Sequence, residues 1–117
     1  METTSYKYPR QLRLLTAEDF KKVFNKPDKV INRECTLFAQ ANNLSHARLG
    51  CVIPKRRVKK AIHRNRIKRI IRESFRLNQH LVAGFDIIIM ANGKTAGLEG
   101  ADLRKCLELV WLELTKQ

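Results

Sequence analysis

Eleven basic residues crowd between Lys55 and Arg76, and Glu73 is the only acid among them. That segment holds ten of the thirteen net positive charges the chain carries at pH 7. An ammonium acts as a point charge on a phosphate. A guanidinium can fork onto two phosphate oxygens or stack on a base. Gathering like charges this closely is unfavourable until something anionic offsets them. An ordinary solvated helix interleaves Glu with Lys so that i,i+4 pairs relieve the repulsion, and this segment has almost no acid to do so. The pattern implies a polyanionic partner, with nucleic acid favoured.

The charge is also organised. At about 100° per residue, Ile67, Ile70, Ile71, Ser74 and Phe75 fall on one face of a helix, opposite Asn65, Lys68, Arg69, Arg72 and Arg76. One face can pack while the other presents cations, with Asn65 adding an amide. No short helix and tight turn precede it, as a helix-turn-helix reader of DNA requires. Aromatic residues are 7% of the chain. Phe20 and Phe24 share a helix face and Phe38 falls in a strand, so they read either as packing or as a platform for unpaired bases.

Other chemistry is thin. The acids are scattered, with no pair placed for acid–base work, and no glycine-rich phosphate loop is present. Cys35, Cys51 and Cys106 form no C-x-x-C pair, and His46, His63 and His80 complete no metal spacing. The cysteines read as reduced thiols packed as small hydrophobes. No catalytic or metal-ligating residue is assigned. No run approaches the roughly 18 apolar residues that span a bilayer. Met1 to Arg10 is polar, without the apolar core of a signal peptide, so a cytoplasmic location and no membrane partner are expected.

The elements that must position these side chains follow from periodicity. At 117 residues and 44% hydrophobic, the chain supports one RNA-binding domain over residues 1–117. Residues 1–15 read as an irregular lead-in. Thr16 reads as the N-cap of a helix from Ala17 to Asn25, stopped before Pro27. Strands are expected from Glu34 to Ala41 and from Arg48 to Ile53, paired as a hairpin through Asn42–His46. A long helix runs from Lys60 to Leu77, a strand from Phe85 to Ala91, and a last helix from Ala101 to Lys116. That helix shows Leu103, Leu107, Val110, Trp111 and Leu114 on one face. The α-β-β-α-β-α order implies an α/β two-layer sandwich, a small mixed sheet with helices packed on it.

The run Arg64-Asn65-Arg66-Ile67-Lys68-Arg69, continued by Ile70-Ile71-Arg72-Glu73-Ser74-Phe75-Arg76, closely resembles the signature of the bacterial ribonuclease P protein subunit. Arg13-Leu14 with Glu18-Asp19-Phe20 and Val23-Phe24 resembles that family's first helix. Arg48-Leu49-Gly50 leading to Pro54-Lys55-Arg56 resembles the strand before the signature helix, and Asp86 to Met90 the late strand. The resemblance spans about residues 9 to 115. One departure is Pro54, where the family often has a small polar residue before two lysines. Lacking an N–H, Pro54 should end the strand early.

The resemblance implies a holoenzyme of one catalytic RNA and one small protein that hydrolyses a phosphodiester bond in precursor tRNA and releases the 5′ leader. The RNA and its Mg²⁺ carry the chemistry, so the chain itself binds no cofactor and acts as an accessory subunit. The family fold implies a left-handed βαβ crossover, against the right-handed default. Carried onto this sequence, Arg64, Asn65, Arg66, Lys68, Arg69 and Arg72 face the catalytic RNA. Phe20, Phe24 and Phe38, with Arg13, Lys55 and Arg56, face the leader. Two alternatives differ in class. One is a ribosomal-type or RNA-chaperone protein without a processing role. The other is a membrane-surface or calmodulin-target helix, which needs the apolar face of the basic helix exposed.

Overall fold

The computed structural model describes residues 9–116, so the first eight residues of the expected lead-in lie outside it. Residues Arg10–Leu12 form one 3₁₀ turn, and Arg13 then bridges to Leu49 in parallel fashion, with the Leu14 N–H donating to Leu49 O at 3.0 Å. Helix α1 spans Ala17–Asn25. Its cap is as expected: Thr16 Oγ1 accepts the Asp19 N–H at 3.1 Å, which satisfies one orphan donor of the first turn.

Four strands follow the order β1-β2-β4-β3. They are β1 Lys29–Asn32, β2 Cys35–Ala41, β3 Arg48–Val52 and β4 Phe85–Ala91. Helix α2, Ala61–Asn78, joins β3 to β4, and α3, Gly100–Thr115, closes the chain. The expected strand–strand hairpin between β2 and β3 does not form. Strand β4 lies between them, antiparallel to β2 and parallel to β3. The reason is burial: Ile87, Ile88 and Ile89 are each 0% exposed, so β4 must be covered on both faces and paired on both edges.

The hairpin is instead β1–β2, turned at Arg33 and Glu34, where the Arg33 N–H donates to Cys35 O. Strand β1 is not announced by the periodicity. It is four residues long, with Ile31 alone fully in the core, and held by tertiary partners. Lys29 Nζ donates to Leu114 O and Lys116 O, each at 2.8 Å, capping the C-terminal end of α3. Strand β3 ends at Val52. Pro54 then opens a turn, its carbonyl accepting from Arg57 and Val58.

Helices sit on both faces of the sheet. On one, α2 and α3 pack over Leu37, Ala39, Leu49, Ile87 and Ile89. The apolar face of α2 is the expected one: Ile67, Ile70, Ile71, Ser74 and Phe75 are all buried. The α3 set is likewise buried, with Cys106 added. Between the two helices the Trp111 indole N–H donates to Ser74 Oγ at 2.8 Å, and the Phe75 and Trp111 rings meet edge-on at 6.1 Å. Because those isoleucines are in the core, the apolar face of α2 is not open to a membrane or a calmodulin-like groove. Among the described residues no helix is long and apolar enough to cross a membrane. On the opposite face α1 makes a smaller core with Leu14, Val23 and Ile88.

Candidate nucleic-acid interface

The smaller core leaves its aromatic residues half open. Phe20, Phe24 and Phe38 are all partly exposed and pack against Leu14, Val23 and Ile88. Phe24 and Phe38 meet edge-on, with centroids 5.0 Å apart and planes at 72°. These rings thus serve packing and present surface together. Phe20 lies over Gly50 so closely that a Cβ there would stand 2.5 Å from Cζ. The glycine in Arg48-Leu49-Gly50 therefore has a steric reason: α1 can seat against β3 only where a side chain is missing.

The sheet under α1 is fastened by a charged pair. Arg48 Nε and Nη2 fork onto the two Asp86 oxygens at 2.8 and 2.6 Å. Asn42 Nδ2 adds a bond to Asp86 Oδ1 at 2.9 Å. Arg48 and Asp86 are register partners across the parallel β3–β4 pair, so the fork also holds the register. The bond to Asp86 raises the Arg48 pKa and keeps the guanidinium charged. Gln40 Nε2 donates to Lys22 O and Lys26 O, tying the end of α1 to the sheet.

The cations of α2 spread over a wide arc and do not meet at one point. Arg66 joins Arg57, Lys59, Lys60 and His63 around a cleft of about 300 Å³ that faces Ala96. Arg72 lies on the other flank. It lines a cleft of about 130 Å³ with Arg13, Leu14, Phe20, Leu49, Gly50 and Cys51. Asn65 and Arg69 are exposed between the flanks. Lys68 reaches the Arg72 side, since both cations lower the Cys51 pKa. Burial outweighs them and pushes that thiol up to about 11, so Cys51 is a protonated thiol at neutral pH. Arg64 is turned back: its Nη1 donates to Val58 O at 3.0 Å and Lys59 O at 2.7 Å, holding the turn that precedes the helix. Lys55 and Arg56 are exposed on that turn and line neither cleft.

The structure therefore brings Arg13, Phe20 and Arg72 together. Residues expected on two separate surfaces share one cleft at the β3 edge. Sequence reasoning missed Cys51, which had no motif, and Arg57, Lys59, Lys60 and His63 as a cluster. Their charge was visible, but the fold of the 54–60 turn onto the start of α2 was not. Such an arrangement can neutralise phosphates along α2 and has ring faces available to unpaired bases beside it. Among the described residues no three His, Cys, Asp or Glu side chains converge. The donor set at the interface is cationic and suits phosphate oxygens, not Mg²⁺.

The model of the ribonuclease P family matches residues 8–115. Solved structures agree in shape. A Staphylococcus aureus RNase P protein is 30% identical, with 90% of this chain and 95% of that chain covered and a TM-score of 0.80. A mutant of the S. aureus protein, described as defective in mRNA degradation, is 28% identical over 90% and 89% of the two chains, with a TM-score of 0.82. The Thermotoga maritima RNase P protein is 28% identical over 86% and 96%, with a TM-score of 0.77.

Proposed function

The chain belongs to the ribonuclease P protein family, and from that premise we propose how its surfaces divide the work. It is the protein subunit of ribonuclease P, which acts in the 5′ processing of tRNA; the holoenzyme is an endoribonuclease and its catalysis is by RNA. Residues 1–117 act as one RNA-binding domain in the cytoplasm. One copy binds one catalytic RNA through Asn65, Arg66, Lys68, Arg69 and Arg72, with Arg64 bracing the turn beneath them. Phe20, Phe24 and Phe38 take the single-stranded 5′ leader of precursor tRNA, and Arg13 takes its phosphates. Lys55 and Arg56, on the turn, reach whichever strand passes there. Mg²⁺ supplies Lewis acidity to the phosphodiester bond from sites on the RNA.

The observation that carries this reading is the cleft shared by Arg13, Phe20 and Arg72. A strand lying there meets a ring face and two guanidinium groups at once, next to the cations of α2. The chain thus joins two polyanions by placing fixed positive charge between them. Stacking is worth on the order of 1–3 kcal/mol per base and tolerates any sequence, which suits leaders that vary. The chain's residues bind and orient, and take no proton.

Reconstitution with the cognate RNA tests the reading. The chain alone cleaves nothing, and with the RNA it gives processing at low Mg²⁺. No rate gain would sink it. Phe20→Ala weakens precursor binding but leaves assembly with the RNA, whereas Arg66→Ala weakens assembly. Identical defects in both variants would overturn the division of surfaces.

A further inference from the structure

Two of the three thiols are neighbours across the molecule. Cys35 begins β2 and Cys106 sits in α3, 71 residues on, yet their sulfurs are 3.8 Å apart. Both side chains are buried, at 0% and 4% exposure. Packing of small apolar groups accounts for one such residue. It does not account for two sulfurs in contact beside an opening.

Cys106 lines a cleft of about 230 Å³, with Arg33, Glu34, Leu98, Asp102 and Lys105 around it. That cleft lies on the β1–β2 side of α3, and no cation of α2 lines it. The sulfur contact also divides the protons unequally. The Cys35 thiol is pushed up, first by its hydrogen bond to Cys106 and then by burial, so it keeps its proton. Cys106 is lowered by the same bond, with burial and the Glu34 carboxylate opposing. Cys106 is the sulfur that lines the cleft, so a small oxidant reaches it first, and Cys35 lies directly behind it, placed to resolve.

We propose that Cys35 and Cys106 form a peroxide-reactive dithiol that closes to an intramolecular disulfide tying β2 to α3. The oxidant is hydrogen peroxide or another small hydroperoxide. The Cys106 sulfur attacks one peroxide oxygen. The O–O bond breaks, and the departing hydroxide takes a proton to leave as water. The Cys35 sulfur then attacks the Cys106 sulfenic sulfur. The S–S bond forms, the S–O bond breaks, and the hydroxide leaves as a second water with the remaining thiol proton. Two thiols lose two electrons to one peroxide. The sulfurs must close from 3.8 Å to about 2.05 Å.

The consequence is a clip on the scaffold that carries α2. Closing a loop this long restricts the unfolded chain, so the melting temperature of the oxidised protein rises by roughly 5–15 °C. The test exposes the full chain to hydrogen peroxide, then counts thiols, maps linked peptides and melts the protein with and without reductant. Expected are a fall from three reactive thiols in the denatured protein to one, a Cys35–Cys106 linked peptide, and a rise in melting temperature that dithiothreitol reverses. Cys51→Ser keeps the linkage, and Cys35→Ser leaves Cys106 to gain oxygen instead. Three thiols persisting, a linkage through Cys51, or a linked protein that melts no higher would each overturn the proposal. Peptide mapping of the wild-type chain decides the matter even if a cysteine variant fails to fold.

Discussion

Gly50→Ala tests the seating of α1 and the leader cleft together. Gly50 is buried, and a Cβ built there stands 2.5 Å from Phe20 Cζ, 2.6 Å from Cε2 and 3.4 Å from Leu14 Cβ. Non-bonded carbons rest at about 3.5–4.0 Å, so the ring must retreat by about 1 Å. Phe20 is half-buried and can move toward solvent, which holds the overpacking cost to about 1–2 kcal/mol. Unfolding entropy near 2.1 cal/mol/K per residue gives about 0.25 kcal/mol/K for this chain, so the melting temperature falls by about 4–8 °C. In the proposed leader cleft the displaced ring would also lose its place against a stacked base. Precursor affinity then falls by about 5- to 30-fold if most of the stacking of one base is lost, while mature tRNA binding is unchanged. Thermal denaturation and precursor titration in the presence of the catalytic RNA measure both effects. A double-mutant cycle with Phe20→Ala isolates the clash. Without the ring, Gly50→Ala should cost no more than about 2 °C. An equal penalty in both backgrounds would refute the reasoning.

Assembly with the catalytic RNA should weaken with salt at a log–log slope of roughly −4 to −5 if about 6 phosphates are neutralised, and Arg66→Ala should flatten that slope by about 1. An unchanged slope in equilibrium binding across a potassium chloride series removes Arg66 from the interface. Trp111→Phe deletes the indole that bonds Ser74 Oγ in the core and should cost about 2–4 kcal/mol, read as a lower urea midpoint at constant slope. Cys51 alkylation in the folded protein should speed up about tenfold per pH unit from neutrality toward its pKa of about 11, because only the thiolate reacts. Bound precursor should slow it, as Cys51 shares the cleft with Phe20. A flat pH profile, read by mass spectrometry of the modified peptide, would contradict a raised pKa for this half-buried thiol.

Local pattern was enough for much of this molecule. The 3.6-residue period placed the buried face of α2 on Ile67, Ile70, Ile71, Ser74 and Phe75, and the Thr16 cap set the start of α1. The run from Lys55 to Arg76 carried the charge, and its Arg64 to Arg76 portion carried the family's signature. Such features depend on residues three or four apart, which a sequence displays directly. Strand β1 did not announce itself, because four residues with Ile31 alone fully in the core gain their stability from β2 and from the end of α3. The β2–β3 pairing was misread for a related reason. Two adjacent strands and a turn suggest a hairpin, yet a triple-isoleucine strand that begins 33 residues after β3 ends takes the place between them.

The same distinction runs through the site. Composition determined that this chain meets a polyanion, because ten unbalanced charges within 22 residues cannot be offset locally. Only the tertiary structure decided that Arg66 and Arg72 line separate clefts on opposite flanks of α2, that Arg64 turns back to brace a loop, and that Arg13 and Phe20 share a cleft with Arg72. It likewise decided that Cys35 and Cys106 touch across 71 residues of chain. Charge is a sum over side chains and needs no coordinates. Which charges, rings and sulfurs meet is set by long-range packing of the sheet and its helices, where contacts are between residues far apart in sequence.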